Sequence, residues 1–181
     1  MNNRMKSNTF KITLGGMITA LSVLFMFMTG LFPFATFALP GIAGALLIMA
    51  VVEMGKGWAA LIYAAVSLLS LFIAPDKESA VVYVLILGHY AITKSLIERI
   101  DKKWIRIILK LAVFNITAGI SYFIVIKFIG ITEDLPFGKW FIAVFFAAAN
   151  IAFIAYDYAL TQLVILYFQK IRLTLKKIFR F

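Results

Sequence analysis

The chain has 181 residues, of which 64% are hydrophobic, 15% aromatic and only 14% charged. A soluble domain of this size has too few polar residues at such a composition to cover its surface, so the sequence predicts a polytopic membrane protein. Cysteine is absent and histidine occurs once, which excludes disulfides, thiolate metal sites and multi-histidine metal sites. The formal net charge of +10 comes largely from basic residues beside apolar segments, a placement that favours anionic lipid headgroups and not nucleic acid as partners.

The first apolar segment predicts a transmembrane helix at 12–32. It carries no charge and is long enough, at about 1.5 Å per residue, to cross the roughly 30 Å hydrocarbon layer of a bilayer. Its length also exceeds that of the apolar region in a cleaved signal peptide, so we expect it to be retained. Small residues recur at a four-residue spacing and leave one face open to another helix, so we expect Gly16 and Ala20 to form a partner-docking face.

Five further spans follow, separated by turns that contain proline, glycine or charged residues. The second, at 39–53, is short for a full crossing, so a thin, tilted or partly re-entrant segment is expected. The remaining spans are predicted at 58–74, 79–97, 105–131 and 140–168, followed by a short basic tail at 169–181. We therefore predict a single all-α domain over 1–181, a compact bundle of six transmembrane helices.

The distribution of basic residues predicts the orientation of this bundle. In the six-span arrangement, all Lys and Arg except Lys77, Lys127 and Lys139 lie on the side of the two termini, and those three share loops with acidic residues. Because basic loops are retained in the cytoplasm, we expect a multi-pass protein of the cell membrane with both termini cytoplasmic.

Polar residues within the later spans give the candidate binding site. Asp157 is the strongest signal, because a carboxylate inside a transmembrane helix is costly and usually faces protein, water or a partner group. Asn150 and Thr161 share its helical face. Measured along the helices from the predicted cytoplasmic ends, Asp157, His89 and Asn115 lie at similar depths. The three are therefore placed where they can meet, with His89 within reach of Asp157.

Three tyrosines, Tyr83, Tyr90 and Tyr122, are placed to line the space above these groups. An apolar space with a few convergent polar groups is typical of a small-molecule pocket between helices. The alternative is that asparagine, threonine and histidine side chains only tie helices together, which we favour for Asn115 and Thr161.

Two lysines, Lys94 and Lys110, lie within a few residues of the predicted cytoplasmic ends of their spans. We expect these side chains to extend to the membrane interface and not to form part of a site.

Catalytic motifs are absent from the sequence. There is no phosphate-binding glycine loop with its lysine, no H-E-x-x-H, no G-x-S-x-G and no close inward pair of carboxylates. We therefore predict neither an enzyme nor a bound cofactor, so any energy must come from an ion gradient or from another subunit.

The layout resembles the substrate-binding subunits, or S components, of energy-coupling factor transporters. The likeness rests on GGMITALSV at the start of the first span, on the turn PFATFALP at 33–40 and on a compact six-helix bundle of this length. The family typically has two alanines where this chain has Gly16 and Ala20. The resemblance implies that these two residues dock on a transmembrane coupling subunit, which is driven by two cytoplasmic ATPase subunits.

The resemblance also implies a vitamin-like or micronutrient solute, held in the outer half of the bundle under the turn at 33–40 as a lid. Tyr83, Tyr122 and Asn150 are then better placed to contact the solute than the deeper His89 and Asp157.

Two other functions remain open from the residues alone. One is a membrane scaffold that uses the same small-residue face for a lasting partner and transports nothing. The other is a small proton-coupled carrier, in which His89 and Asp157 exchange protons.

Overall fold

The computed structural model describes residues 8–32, 35–129 and 139–171, and these form helices and short connections with no strand among them. Some of the predicted features extend beyond these residues. Positions 33–34 of the predicted lid, most of the turn at 132–139 and positions 172–181 of the basic tail lie outside the described residues.

The described residues contain seven α-helical segments that correspond to the six predicted spans, because the fourth span consists of two segments joined by a π-helical turn at Tyr83–Leu87. In chain order the segments are α1 (Asn8–Met28), α2 (Ala38–Met54), α3 (Lys56–Ile73), α4 (Lys77–Val82), α5 (Tyr90–Ile97), α6 (Lys103–Ile124) and α7 (Lys139–Leu166). Helix α6 continues into a π-helical turn at Val125–Ile129, and α7 into another at Tyr167–Ile171.

Five of these six spans are long and apolar enough to cross a membrane, whereas α2, with 17 residues, is shorter. The predicted all-α architecture is confirmed for the described residues, and their apolar helices are compatible with a membrane protein. Each span follows from the same sequence feature, an apolar run of about 20 residues that ends at charged residues, proline or glycine.

The short helix α2 is the centre of the bundle. It packs against α1, α3, both segments of the fourth span and α7. Its apolar residues lie all round the helix, a pattern typical of a helix that is buried on every side. Of the forms expected for this segment, the structure therefore shows a short, uninterrupted helix enclosed by its neighbours.

A single residue, Gly55, joins α2 to α3. Its φ of 88° lies in the left-handed region, which L side chains rarely adopt, so glycine is required at this position. The Gly55 N–H donates to the carbonyl of Val51 at 3.2 Å and ends α2. Helix α3 can therefore begin at once and pack back along α2.

Glycines in α2 also allow the fourth span and α7 to approach closely. A Cβ atom at Gly44 would lie 2.6 Å from the carbonyl oxygen of Leu87 and 2.9 Å from the hydroxyl oxygen of Tyr156. The same tyrosine donates a hydrogen bond to the carbonyl of Gly41 at 3.1 Å. Three spans therefore converge where α2 has no side chains.

The π-helical turn in the fourth span depends on a glycine and on a tyrosine from α3. The N–H of Gly88 donates to the carbonyl of Tyr83 at 2.7 Å, five residues back instead of four. The carbonyl of Val84 accepts instead from the Tyr63 hydroxyl at 2.6 Å. A Cβ atom at Gly88 would lie 2.7 Å from the Tyr83 carbonyl oxygen and 2.9 Å from its ring, so only glycine fits here.

Candidate functional site

A cavity of about 630 Å³ lies between α2, the fourth span, α6 and α7. This volume is within the roughly 300–1,000 Å³ range of small-molecule sites in proteins. Its walls are alanines and large apolar side chains, and its phenylalanines are Phe37, Phe114, Phe145, Phe146 and Phe153. On α6 the lining residues recur at helical spacing, so one face of that helix forms a continuous wall.

A few polar side chains interrupt this apolar lining. Glu78 lies at the start of the fourth span, in the first turn of α4. Ser121 is only 5% exposed, and its hydroxyl, like that of Tyr122 beside it, has no hydrogen-bond partner among the described residues. The fourth group, Tyr156, is the tyrosine bonded to α2. The cavity thus has the composition of a site for a largely apolar molecule with a few polar groups.

Of the residues predicted to bind a substrate, Tyr122 lines this cavity. Tyr83 is fully buried and does not line it, and its ring centroid lies 6.3 Å from that of Tyr63. His89 packs edge-on against the same Tyr63, with 6.2 Å between the ring centroids. Asn150 and Asp157 lie elsewhere, in two polar clusters that join the helices.

The first cluster is a reciprocal pair of amides between α6 and α7. The side-chain amide of Asn115 donates to Asn150 at 2.9 Å, and that of Asn150 donates back at 3.0 Å. Each amide also donates to a carbonyl four residues earlier on its own helix, at 2.8 Å. Asn115 ties helices together, as favoured from the sequence. Asn150 is occupied by the same pairing, which leaves its amide fully engaged within the chain.

Removing one member of this pair should destabilise the bundle. We expect Asn115→Ala to lower the free energy of unfolding by about 1–2 kcal/mol, because it removes both interhelical bonds and leaves the Asn150 side-chain oxygen without its donor in an apolar region. The measurement is reversible unfolding in mixed micelles that contain a denaturing detergent. Thr117→Ala is the matched control, because Thr117 bonds only to carbonyls of its own helix. Strict additivity of Asn115→Ala and Asn150→Ala in the double variant would contradict the pairing.

The second cluster surrounds Asp157 where α5 ends and α6 begins. The Lys110 Nζ lies 2.8 Å from Oδ2 and 3.0 Å from Oδ1 of Asp157. Lys94 forms a further ion pair with the same carboxylate, and the Tyr90 hydroxyl donates to it at 2.7 Å. Lys94 also donates to the Thr161 hydroxyl at 2.8 Å. One carboxylate on α7 therefore holds groups from both α5 and α6.

A second carboxylate, Glu98, completes the cluster. Its Oε1 lies 2.8 Å from the Nζ of Lys94 and 3.2 Å from that of Lys110. Two lysines and two carboxylates give a cluster with no formal net charge, and mutual pairing is what makes buried charges tolerable in an apolar surrounding. Three members of the cluster are largely enclosed by the helices, and Glu98 lies at its edge, with its side chain 40% exposed.

The expectation that Lys94 and Lys110 extend to the membrane interface is therefore wrong for this structure. Lys94 is only 3% exposed and its ammonium points to Asp157, whose side chain is 22% exposed. The physical reason is that a carboxylate on a neighbouring helix lies closer to the ammonium than the lipid headgroups do and therefore stabilises its charge more strongly. The sequence gives the depth of each lysine in its helix but not its neighbours.

The contact expected between His89 and Asp157 is made by Tyr90 instead. Adjacent residues point about 100° apart on a helix, so when Tyr90 faces α7, His89 points toward a different neighbour. In the structure it faces Tyr63 of α3.

The predicted docking residues of α1 lie on its outer side. Gly16 and Ala20 are exposed, and a Cβ atom at Gly16 would meet nothing within 4 Å. At the adjacent Gly15, by contrast, a Cβ atom would contact Ile62 of α3 at 3.4 Å. The opposite face of α1 packs on α2 and α3. The small-residue face is thus available for contact from outside the described bundle.

Several cavity residues were not singled out from the sequence, among them Glu78, Ser121 and Tyr156. The spacing of residues in the fourth span could have indicated Glu78. Glu78, Val82 and Ile86 recur every four residues and so share one helical face, and all three line the cavity.

No protein-family model, no curated protein and no solved structure matches the chain. The features that bear on function are therefore the cavity, the polar clusters and the exposed face of α1.

Proposed function

We propose that the protein captures a small, mostly apolar solute in the cavity between α2, the fourth span, α6 and α7, as the substrate-binding subunit of an energy-coupling factor importer. The observation that carries this proposal is the cavity itself, which has the volume and lining of a small-molecule site. Two of its lining residues, Ser121 and Tyr122, have buried hydroxyls with no partner among the described residues.

The exposed face of α1 supports the second part of the proposal, docking to a partner. Gly16 and Ala20 allow the backbone of another helix to approach closely, and close packing of small residues is a common means of helix association in membranes. In this proposal the partner is a transmembrane coupling subunit, with two ATPase subunits as the source of energy. The solute and the partner then occupy different parts of the bundle, which lets binding and docking be tested separately.

The proposed location is the cell membrane, with both termini in the cytoplasm. The excess of basic residues on the side of the termini supports this orientation. On that side, Lys103 and Arg106 lie at the start of α6. Basic side chains beside an apolar span suit anionic lipid headgroups.

The test separates docking from binding. We expect Gly16→Leu and Ala20→Leu to abolish solute uptake while leaving solute binding and subunit stability unchanged, because both positions face outward. Ala118→Trp, which places a large ring in the cavity, should weaken both binding and uptake. The measurements are uptake by cells, binding to the purified protein, and mass spectrometry of the gently purified complex. Normal uptake by both α1 variants would rule out the docking role.

A scaffold without a transport function is the second candidate. It is favoured by the observation that Asn115, Asn150 and Asp157 are all engaged within the chain, as structural groups would be. The proton-coupled carrier has less support, because the structure pairs Asp157 with two lysines and places His89 against Tyr63. Absence of any bound solute after gentle purification, together with a stable protein partner, would favour the scaffold.

A further inference from the structure

We infer that the solute of this cavity carries a positive charge on an apolar body, and that Glu78 recognises the charge at one end of the cavity. The inference rests on the proposed function, since it requires the cavity to be a binding site. It adds the charge class of the solute and the residue that selects it.

The carboxylate of Glu78 forms no hydrogen bond or ion pair with any described residue, although it borders apolar walls. Neighbouring charges are already engaged. Asp76 caps α4 by accepting from the Glu78 N–H at 3.0 Å and also accepts from the Ser79 hydroxyl. The Lys77 ammonium donates to carbonyls at the end of α3 at 3.0 Å and forms no ion pair with Glu78. A half-buried carboxylate without a cation is stabilised when a ligand supplies one.

The remaining lining makes the opposite charge unfavourable. Among the described residues, no lysine, arginine or histidine lines the cavity. An anionic solute would therefore meet apolar walls and a carboxylate, with only hydroxyl groups as hydrogen-bond donors. A neutral solute would leave Glu78 unpaired.

The side chains of Ser121 and Tyr122 offer the body of the solute a second point of recognition if their hydroxyls rotate toward the cavity. Both are buried and unpartnered in the described part of the chain, and both lie on α6, whereas Glu78 lies on α4. A polar atom on an otherwise apolar or aromatic body can bond to these hydroxyls while the cation contacts Glu78. The alanines of α6 and α7 leave room for a flat or branched body between them.

The experiment compares three probes with one aromatic body and different heads: 1-pyrenemethylamine, 1-pyrenemethanol and 1-pyrenecarboxylate. Binding to the full chain in nanodiscs of zwitterionic lipid is measured by equilibrium dialysis against empty nanodiscs. We expect the amine to bind about tenfold more tightly than the alcohol, as a charge-assisted hydrogen bond allows, and the carboxylate to bind least. In Glu78→Gln, affinity for the amine should fall to that of the alcohol, while binding of the alcohol stays unchanged.

Two further variants make each outcome decisive. Asp101→Asn removes an exposed carboxylate elsewhere and should keep the preference for the amine. Ala118→Trp should weaken binding of all three probes. Equal binding of amine and alcohol, or a preference that survives Glu78→Gln, overturns the charge selection, whereas weaker binding in Ala118→Trp would leave the cavity proposal standing. Failure of all three probes to bind the unmodified protein overturns both.

Discussion

We expect Asp157→Asn to lower the free energy of unfolding by about 3–5 kcal/mol, the cost typical of breaking a buried ion pair from one side. The change removes the negative charge that faces both Lys94 and Lys110. Lys94 is only 3% exposed, so it cannot reach water without moving its helix. Glu98 would then be the one remaining carboxylate of the cluster, shared between two cations. Helices α5, α6 and α7 should separate first, because this cluster joins them.

The measurement is reversible unfolding in mixed micelles, with far-ultraviolet circular dichroism to check that the helices have formed. Asp101→Asn is the matched control, since it removes an exposed carboxylate and should change stability by less than about 0.5 kcal/mol. The double variant with Lys94→Met and Asp157→Asn should recover part of the loss, because the unpaired buried cation is gone. Equal stability of Asp157→Asn and the unmodified protein would show that the cluster is solvated.

The second large effect is expected at the centre of the bundle. Gly44→Ala should lower the free energy of unfolding by about 1–3 kcal/mol, because the new methyl group would lie 2.6 Å from a backbone oxygen of the fourth span. A backbone atom cannot move aside as a flexible side chain does, so α2 must shift as a whole. The shift would also disturb the hydroxyl of Tyr156, which lies 2.9 Å from the same point.

Gly16→Ala is the matched control for this change, because a Cβ atom there meets nothing within 4 Å. Both substitutions gain the same helix propensity, about 1 kcal/mol, so the difference between them isolates the close approach. Unfolding in the same mixed micelles measures both. If the two variants had the same stability, the tight packing of α2 against the fourth span would be refuted.

The helical architecture was predictable because each span needs its own apolar length, and this requirement is visible within a single segment. The run that forms α7, for example, is bounded by Lys139 and by the basic tail. The central position of α2 was also implicit in its sequence, since its apolar residues lie on all sides. Its short length, however, predicted a thin, tilted or partly re-entrant segment.

Contacts between the helices were much harder to predict, because they depend on the order and rotation of the spans. Depth along the helix indicated that Asp157 would have a partner near the middle of the fourth span, but His89 and Tyr90 have nearly the same depth. Only the rotation of that span decides between them. The same uncertainty affected Lys94. Its short distance from the end of its helix predicted a side chain that extends to the membrane interface, whereas its ammonium points to Asp157.

The π-helical turn at Tyr83–Leu87 determines that direction. An α-helix advances about 100° per residue, so one extra residue in a turn rotates every later side chain by about that angle relative to a regular helix. Tyr90 and Lys94 both follow the turn and point at Asp157. Without the extra residue, these two side chains would point about 100° away from this direction and would not face Asp157. Gly88 lacks the side chain that would prevent this turn. The glycine therefore determines the direction of Lys94, which lies more than one helical turn further along the chain.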